Sequence, residues 1–151
     1  MRTFSINEFS RRLKKGFSVH SRIMLDTCIC INILRGKNPE DFKKIIQHEP
    51  GTVVISSITH SELMFGAYQS QRMEHQRLLI DKLTQSIPVL DYPKSASSFY
   101  GMIRHSLSSK GGIIGANDLL IAAHALAEKC LLATHNLKEF RRVAGLKLYE
   151  F

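Results

Sequence analysis

Short apolar or β-branched runs alternate along this chain with longer stretches of helical periodicity, and that alternation narrows the choice of fold more than any other feature. Ile23-Met24-Leu25, Thr52-Val53-Val54-Ile55-Ser56, Ile87 to Leu90, Leu131-Leu132-Ala133 and Leu146 to Tyr149 read as strands. Between them, apolar residues recur at three- and four-residue steps, so each strand is followed by one or more amphipathic helices. Strands alternating with helices pack as an α/β domain with a mostly parallel sheet. The punctuation agrees: Gly36 closes a helix that begins near Ile29, Asn38-Pro39 opens the next with Asn38 as N-cap, and a helix is expected from Thr59 through Ala67. Further helices carry Leu78, Leu79 and Leu83, then Ala96 to Leu107 up to Gly111-Gly112. An Ala-rich helix follows from Asp118 to Glu128 with Asn117 as N-cap, then a short one from Leu137 to Val143. With 151 residues, of which 44% are hydrophobic, one core is feasible and a second domain is not expected.

No apolar run approaches the roughly 18 residues needed to span a bilayer, and residues 1–22 lack the apolar core of a secretory signal. Three cysteines, Cys28, Cys30 and Cys130, form no paired framework, so a reducing cytoplasm is expected. The net charge of +8 points to a polyanionic partner, but residues 1–22 alone hold +5 of it. They read as a basic N-terminal extension, either disordered or a short amphipathic helix carrying Arg11, Arg12, Lys14 and Lys15, with 23–151 as the folded domain. Those four side chains are candidate RNA contacts; packing on the domain or a partner, or no role at all, are the competing readings.

The acids fall where this topology would gather them. Asp26 follows the first strand directly, and Glu62 and Asp118 lie near the starts of helices. In an open parallel sheet such junctions line the carboxyl edge, where ligands bind. Asn136, in Thr134-His135-Asn136, follows a strand in the same way. Each acid also has a purely structural explanation. Glu62 would complete a capping box with Thr59, and Asp118 would complement a helix dipole. Asp26 is harder to explain so, because a carboxylate after a buried strand is costly without a partner. Three neighbouring carboxylates raise one another's pKa and call for a cation, and Mg²⁺ or Mn²⁺ is the hard, oxygen-seeking choice. Such an ion activates water and neutralises phosphate charge, the chemistry of a nuclease.

Four segments, Met24 to Cys30, Ile58 to Ala67, Ile114 to Leu126 and Thr134 to Phe140, resemble in order and spacing the PIN-domain ribonuclease toxins of the VapC type. The resemblance covers about residue 23 to the end, and the block Asn117-Asp118-Leu119-Leu120-Ile121-Ala122-Ala123-His124-Ala125 is its most specific part. It implies a PIN-like α/β/α sandwich with a central, mostly parallel sheet flanked by helices. It implies also a Mg²⁺- or Mn²⁺-dependent endoribonuclease, the toxin of a type II toxin–antitoxin pair, with tRNA as one candidate substrate class. The partners so implied are a VapB-like antitoxin and RNA, in a homodimer or a toxin–antitoxin hetero-oligomer. Asp26 and Asp118 then look like the principal metal ligands, Glu62 a further acid on metal or water, and Asn136 a catalytic-site group where many members carry an acid.

Two departures from the family pattern, Asn136 and Cys28 in place of the usual Asn, keep open a different class of function, a degenerate PIN-like module that binds RNA or a partner without catalysis. Glu139 is an alternative fourth acid, or an ion-pair partner of Arg142 or Arg35. Thr27 is a candidate orienter of Asp26 or simply an N-cap, and Thr134 supports the last site segment. His124, nearly opposite Asp118 around its helix, is expected to be a satisfied core histidine; His60 could face the crevice. Phosphatase- or dehalogenase-like chemistry is disfavoured because Cys28 stands where a second Asp would be needed. Dinucleotide binding is disfavoured for want of a Gly-x-Gly-x-x-Gly after any strand.

Overall fold

The computed structural model describes residues 21–151. The candidate RNA contacts Arg11, Arg12, Lys14 and Lys15 lie outside the described residues. Four strands, β1 (Ile23–Leu25), β2 (Val53–Ser56), β3 (Val89–Leu90) and β4 (Leu131–Ala133), form one sheet in the order β3-β2-β1-β4. Every pairing is parallel, with Met24 opposite Val54 on one side and opposite Leu132 on the other. The helices are α1 (Thr27–Leu34), α2 (Pro39–Ile46), α3 (Ser57–Tyr68), α4 (Met73–Ser86), α5 (Ala96–Ser109), α6 (Ala116–Ala127) and α7 (Leu137–Phe140).

Strand periodicity divides the interior into two cores. Ile23, Leu25, Val53 and Ile55 point to one face, where Ile29 and Ile33 of α1, Phe42 and Ile45 of α2, Leu63 of α3 and Ile80 and Leu83 of α4 cover them. Met24, Val54 and Leu132 point to the other, beneath Ile103 and Leu107 of α5, the Ala-rich face of α6 and Phe140 of α7. The expected α/β/α sandwich follows directly. Successive strands add on one side from β1 to β3, and β4 then returns to the far side of β1. The order therefore reverses between β1 and β4, and the chain leaves both strands at the same edge.

Several expected boundaries shift, each for a local reason. α3 begins at Ser57 rather than Thr59, because the Ser56 Oγ caps it by accepting from the Ile58 amide at 3.0 Å. Asn38 precedes Pro39 as expected but sits in the left-handed region at φ 51° and caps nothing with its side chain. α6 is entered through Gly115, so Asn117 lies inside the first turn and is not its N-cap. The Leu146 to Tyr149 strand reduces to one parallel bridge, in which Leu132 donates to the Lys147 carbonyl and accepts from the Tyr149 amide. Among the described residues no helix is long and apolar enough to cross a membrane.

Candidate active site

Asp26 ends β1 and caps α1. It is 4% exposed, and every bond to it comes from the start of α1 or from the end of β4. Its Oδ1 accepts from the Thr27 amide at 2.8 Å, and its Oδ2 from the Thr134 hydroxyl at 2.7 Å and the Cys28 thiol at 3.3 Å. Thr134 is buried and accepts in turn from the Asn136 amide at 2.9 Å. The Asn136 side-chain amide donates to Asp118 Oδ2 at 3.3 Å. On the other flank the Thr27 hydroxyl donates to Glu62 Oε2, and Glu62 Oε1 accepts from the Asn117 side chain at 2.9 Å. Asn117 and Asp118 are neighbours on α6, so the hydrogen bonds close into a ring through Glu62, Thr27, Asp26, Thr134, Asn136 and Asp118.

The ring settles readings that the sequence had left open. Glu62 does not fold back on Thr59, since the earlier helix start moves it beyond the first turn and aims it at α1 and α6. Thr27 is the first residue of α1 rather than its cap, and its hydroxyl orients Glu62. Asn136 links Thr134 to Asp118. Glu139 turns toward Arg142 at 3.0 Å and acts on Asp118 through its charge, while Asn136 is in hydrogen-bond contact with Asp118. His60 takes part in none of these bonds. His124 is completely buried; its Nδ1 shares a 2.8 Å hydrogen bond with Ser56, but its Nε2 has no hydrogen-bond partner, so it is a core histidine only half satisfied. Sequence reasoning missed the role of Asn117, which holds Glu62, and of Ser56, whose hydroxyl joins the α3 cap to His124. The signal for Asn117 was its place beside Asp118 in the most specific block.

Electrostatics marks Asp118 as the strained member. Burial first, then the charges of Asp26, Glu62 and Glu139, push its carboxyl up to about 6. Burial and the charge of Asp26 also push the Cys28 thiol up, which keeps it protonated near neutrality and withholds a thiolate. The available donors are therefore all oxygens, a set that suits a hard divalent cation. Among the described residues no three His, Cys, Asp or Glu side chains close into a ready-made cage. A cation such as Mg²⁺ keeps several waters and takes only one or two carboxylates directly, so it does not require such a cage. Asp26, Asp118 and Glu62 are the candidates to hold it, one or two by direct contact and the rest through its waters.

Comparison with known proteins identifies the family. The PIN domain family model matches residues 23–146. Ribonuclease VapC2 of Rickettsia felis is 38% identical over 127 residues, covering 83% of this chain and 94% of that protein. The tRNA(fMet)-specific endonuclease VapC of Shigella flexneri is 37% identical over 126 residues, covering 83% and 95%. Among solved structures, VapBC2 from Rickettsia felis bound to a DNA fragment from its promoter superposes with a TM-score of 0.78 at 34% identity, covering 85% of this chain and 98% of that one. VapBC-1 from nontypeable Haemophilus influenzae superposes equally well, at 36% identity with 85% and 96% covered. With a matched family model over nearly all of the described fold and such relatives covered almost end to end, the chain belongs to the PIN domain family and to its VapC-type ribonucleases.

Proposed function

We propose that this chain is the endoribonuclease toxin of a type II toxin–antitoxin pair, and that it hydrolyses RNA phosphodiesters with Mg²⁺ or Mn²⁺ held by Asp26, Asp118 and Glu62. The observation that carries this reading is the joining of three acids from three separate segments at the reversal point of a parallel sheet, one of them raised by burial and then by the charge of the others. A hard divalent cation bound there supplies charge neutralisation at the phosphate and a more acidic attacking water. The protein's own part is to fix these oxygens before RNA arrives. Thr134 and the Thr27 amide lock the Asp26 rotamer, Thr27 and Asn117 hold both oxygens of Glu62, and Asn136 steadies Asp118. Asn136 and Cys28, the two departures from the family pattern, are both bonded into this network, so neither favours a degenerate, non-catalytic module. Of the two relatives described above, one is a ribonuclease and the other a tRNA(fMet)-specific endonuclease, which makes tRNA the first substrate class to try.

The proton and the cation compete for Asp118. Mn²⁺ affinity measured by calorimetry is expected to hold above pH ~7 and to fall about tenfold per unit below pH 6, as Asp118 takes up its proton. Flat affinity between pH 5 and 7 would count against Asp118 as a ligand. Cleavage of total RNA should stop in excess EDTA and return on adding Mn²⁺.

The solved VapBC structures pair their toxins with VapB, and we assign the same kind of partner here. A groove of about 180 Å³ lined by Ile31, Leu34, Leu63, Ala67 and Ile80 runs up to Glu62, and an apolar antitoxin helix laid in it would reach the acids. Residues 1–22 are a separate matter. Arg22, the described end of that segment, is spent on Glu128 at 2.6 Å and is not a free cation. If Arg11, Arg12, Lys14 and Lys15 bind RNA, deleting residues 1–20 should flatten the salt dependence of RNA affinity by roughly 0.7 in log–log slope per lost phosphate contact. An unchanged slope removes them from the interface.

A further inference from the structure

Beyond Thr134, the residue that fastens Asp26, a pocket of about 400 Å³ opens at the same edge of the sheet. One wall is a cluster of rings held in fixed contact. His135 and Phe151 stack with ring centroids 5.2 Å apart and 27° between their planes, and Tyr149 meets Phe151 edge-on at 5.2 Å. Tyr149 is tied down by a 2.9 Å hydrogen bond to His48, and His135 by Asp41 at 3.0 Å. Leu137 and Leu148 share the lining, and Arg141 and Glu150, both exposed, add one donor and one acceptor of opposite charge. The side chains of Phe151, Tyr149 and Arg141 take no part in the ring of hydrogen bonds around the acids, and Phe151 remains only partly covered.

Planar rings fixed in a stack, half-exposed and flanked by a guanidinium and a carboxylate, suit a flat polar ligand better than an aliphatic side chain. Single-stranded RNA offers such a ligand, because its bases can be splayed out and stacked on aromatic rings while their edges pair with polar groups. Thr134 lines this pocket and also binds Asp26, so a base seated here belongs to a nucleotide close to the cleaved bond. We propose that the pocket is a nucleobase subsite, in which one unstacked base of the RNA extends the His135–Phe151 stack. This rests on the ribonuclease reading and adds to it a residue-level contact for substrate binding.

The chain contains no tryptophan, so Phe151→Trp installs a single indole reporter. Binding is read in EDTA, where RNA stays intact, with fluorescein-labelled oligo(A), oligo(C) and oligo(U) and with an abasic ribose-phosphate oligomer of equal length. Phe151→Ala should weaken binding of at least one base-bearing oligomer by roughly 5- to 100-fold, the range for one stacked base, and leave the abasic oligomer unaffected. Phe151→Trp should keep its affinity and show quenched indole emission on binding. Phe151→Leu, which preserves bulk in the half-buried position, should behave as the alanine variant does and so separate lost stacking from lost packing. Equal loss on the abasic oligomer, no loss with either variant, or an unquenched indole would overturn the subsite. So would variants that keep RNA affinity and lose only an antitoxin, which would make this a protein-binding pocket. Cleavage by the unaltered chain in Mn²⁺ is scored in parallel: its absence rejects the ribonuclease reading and the subsite with it, whereas cleavage with a KM indifferent to Phe151 rejects the subsite alone.

Discussion

Asp118→Asn should lower RNA cleavage at least about 10³-fold and at the same time make the metal-free protein slightly more stable at neutral pH. The two effects have one cause. In the fold, burial and the charges of Asp26, Glu62 and Glu139 hold the Asp118 proton up to a pH of about 6. An acid whose folded pKa is raised favours the fold most at low pH, below its unfolded value, and that contribution is lost as pH climbs through about 6. At pH 7.5 the wild-type fold therefore carries an ionised carboxylate it disfavours. Asp118 is half-exposed, so solvent screening reduces this to ~1 kcal/mol, or about 2–4 °C in melting temperature. Asn keeps an oxygen to accept from Asn136, whose bond to Asp118 Oδ2 is 3.3 Å, so the ring need not open. The variant should melt a few degrees higher than the wild type without metal, gain nothing from added Mn²⁺, and cleave no RNA. Undiminished Mn²⁺-dependent cleavage by Asp118→Asn would sink the assignment; an unchanged melting temperature would show that the acids do not strain one another.

The residues that could be read from sequence were those that break a pattern. An aspartate ending the apolar run Ile23-Met24-Leu25 is costly to bury, so Asp26 stood out, although the expectation that it lacks a local partner fails because it caps α1 through the Thr27 amide. The strand pattern placed the carboxyl edge correctly because the strands beside it are buried. Residues whose local role is plausible stayed ambiguous or, like Asn117, were misread. Thr59 and Glu62 have the spacing of a capping box, but the Ser56 hydroxyl starts the helix earlier, and a shift of two residues turns Glu62 toward Thr27 and Asn117. Asn117 resembles an N-cap in sequence; its actual partner lies 55 residues away on another helix. Local hydrogen-bonding preferences are visible in a window of four residues, whereas a site assembled by topology is not. Glu139 shows the converse. Its charge reaches Asp118, yet its nearest cation, Arg142, is three residues along the chain and takes its carboxylate.

The largest loss of stability is expected at a residue that carries no charge. Thr134→Val preserves shape at a site only 1% exposed but removes the hydroxyl that donates to Asp26 Oδ2 at 2.7 Å and accepts from the Asn136 amide at 2.9 Å. Cys28 offers a thiol at 3.3 Å, a weak donor that cannot replace it. A buried carboxylate that loses a charge-assisted hydrogen bond costs about 2–3 kcal/mol, which lowers the melting temperature by roughly 5–10 °C. The same hydroxyl fixes the rotamer of a proposed metal ligand, and removing such a support typically weakens metal affinity or activity by about 10- to 100-fold. Thr134→Ser keeps the hydroxyl and gives up one methyl group, so it should restore most of the Mn²⁺ affinity while recovering only part of the stability. A valine variant that melts early but binds Mn²⁺ and cleaves RNA as the wild type does would reduce Thr134 to a packing residue. Matched losses in the valine variant with rescue of metal affinity by serine would establish that β4 sets the geometry of the acid at the end of β1.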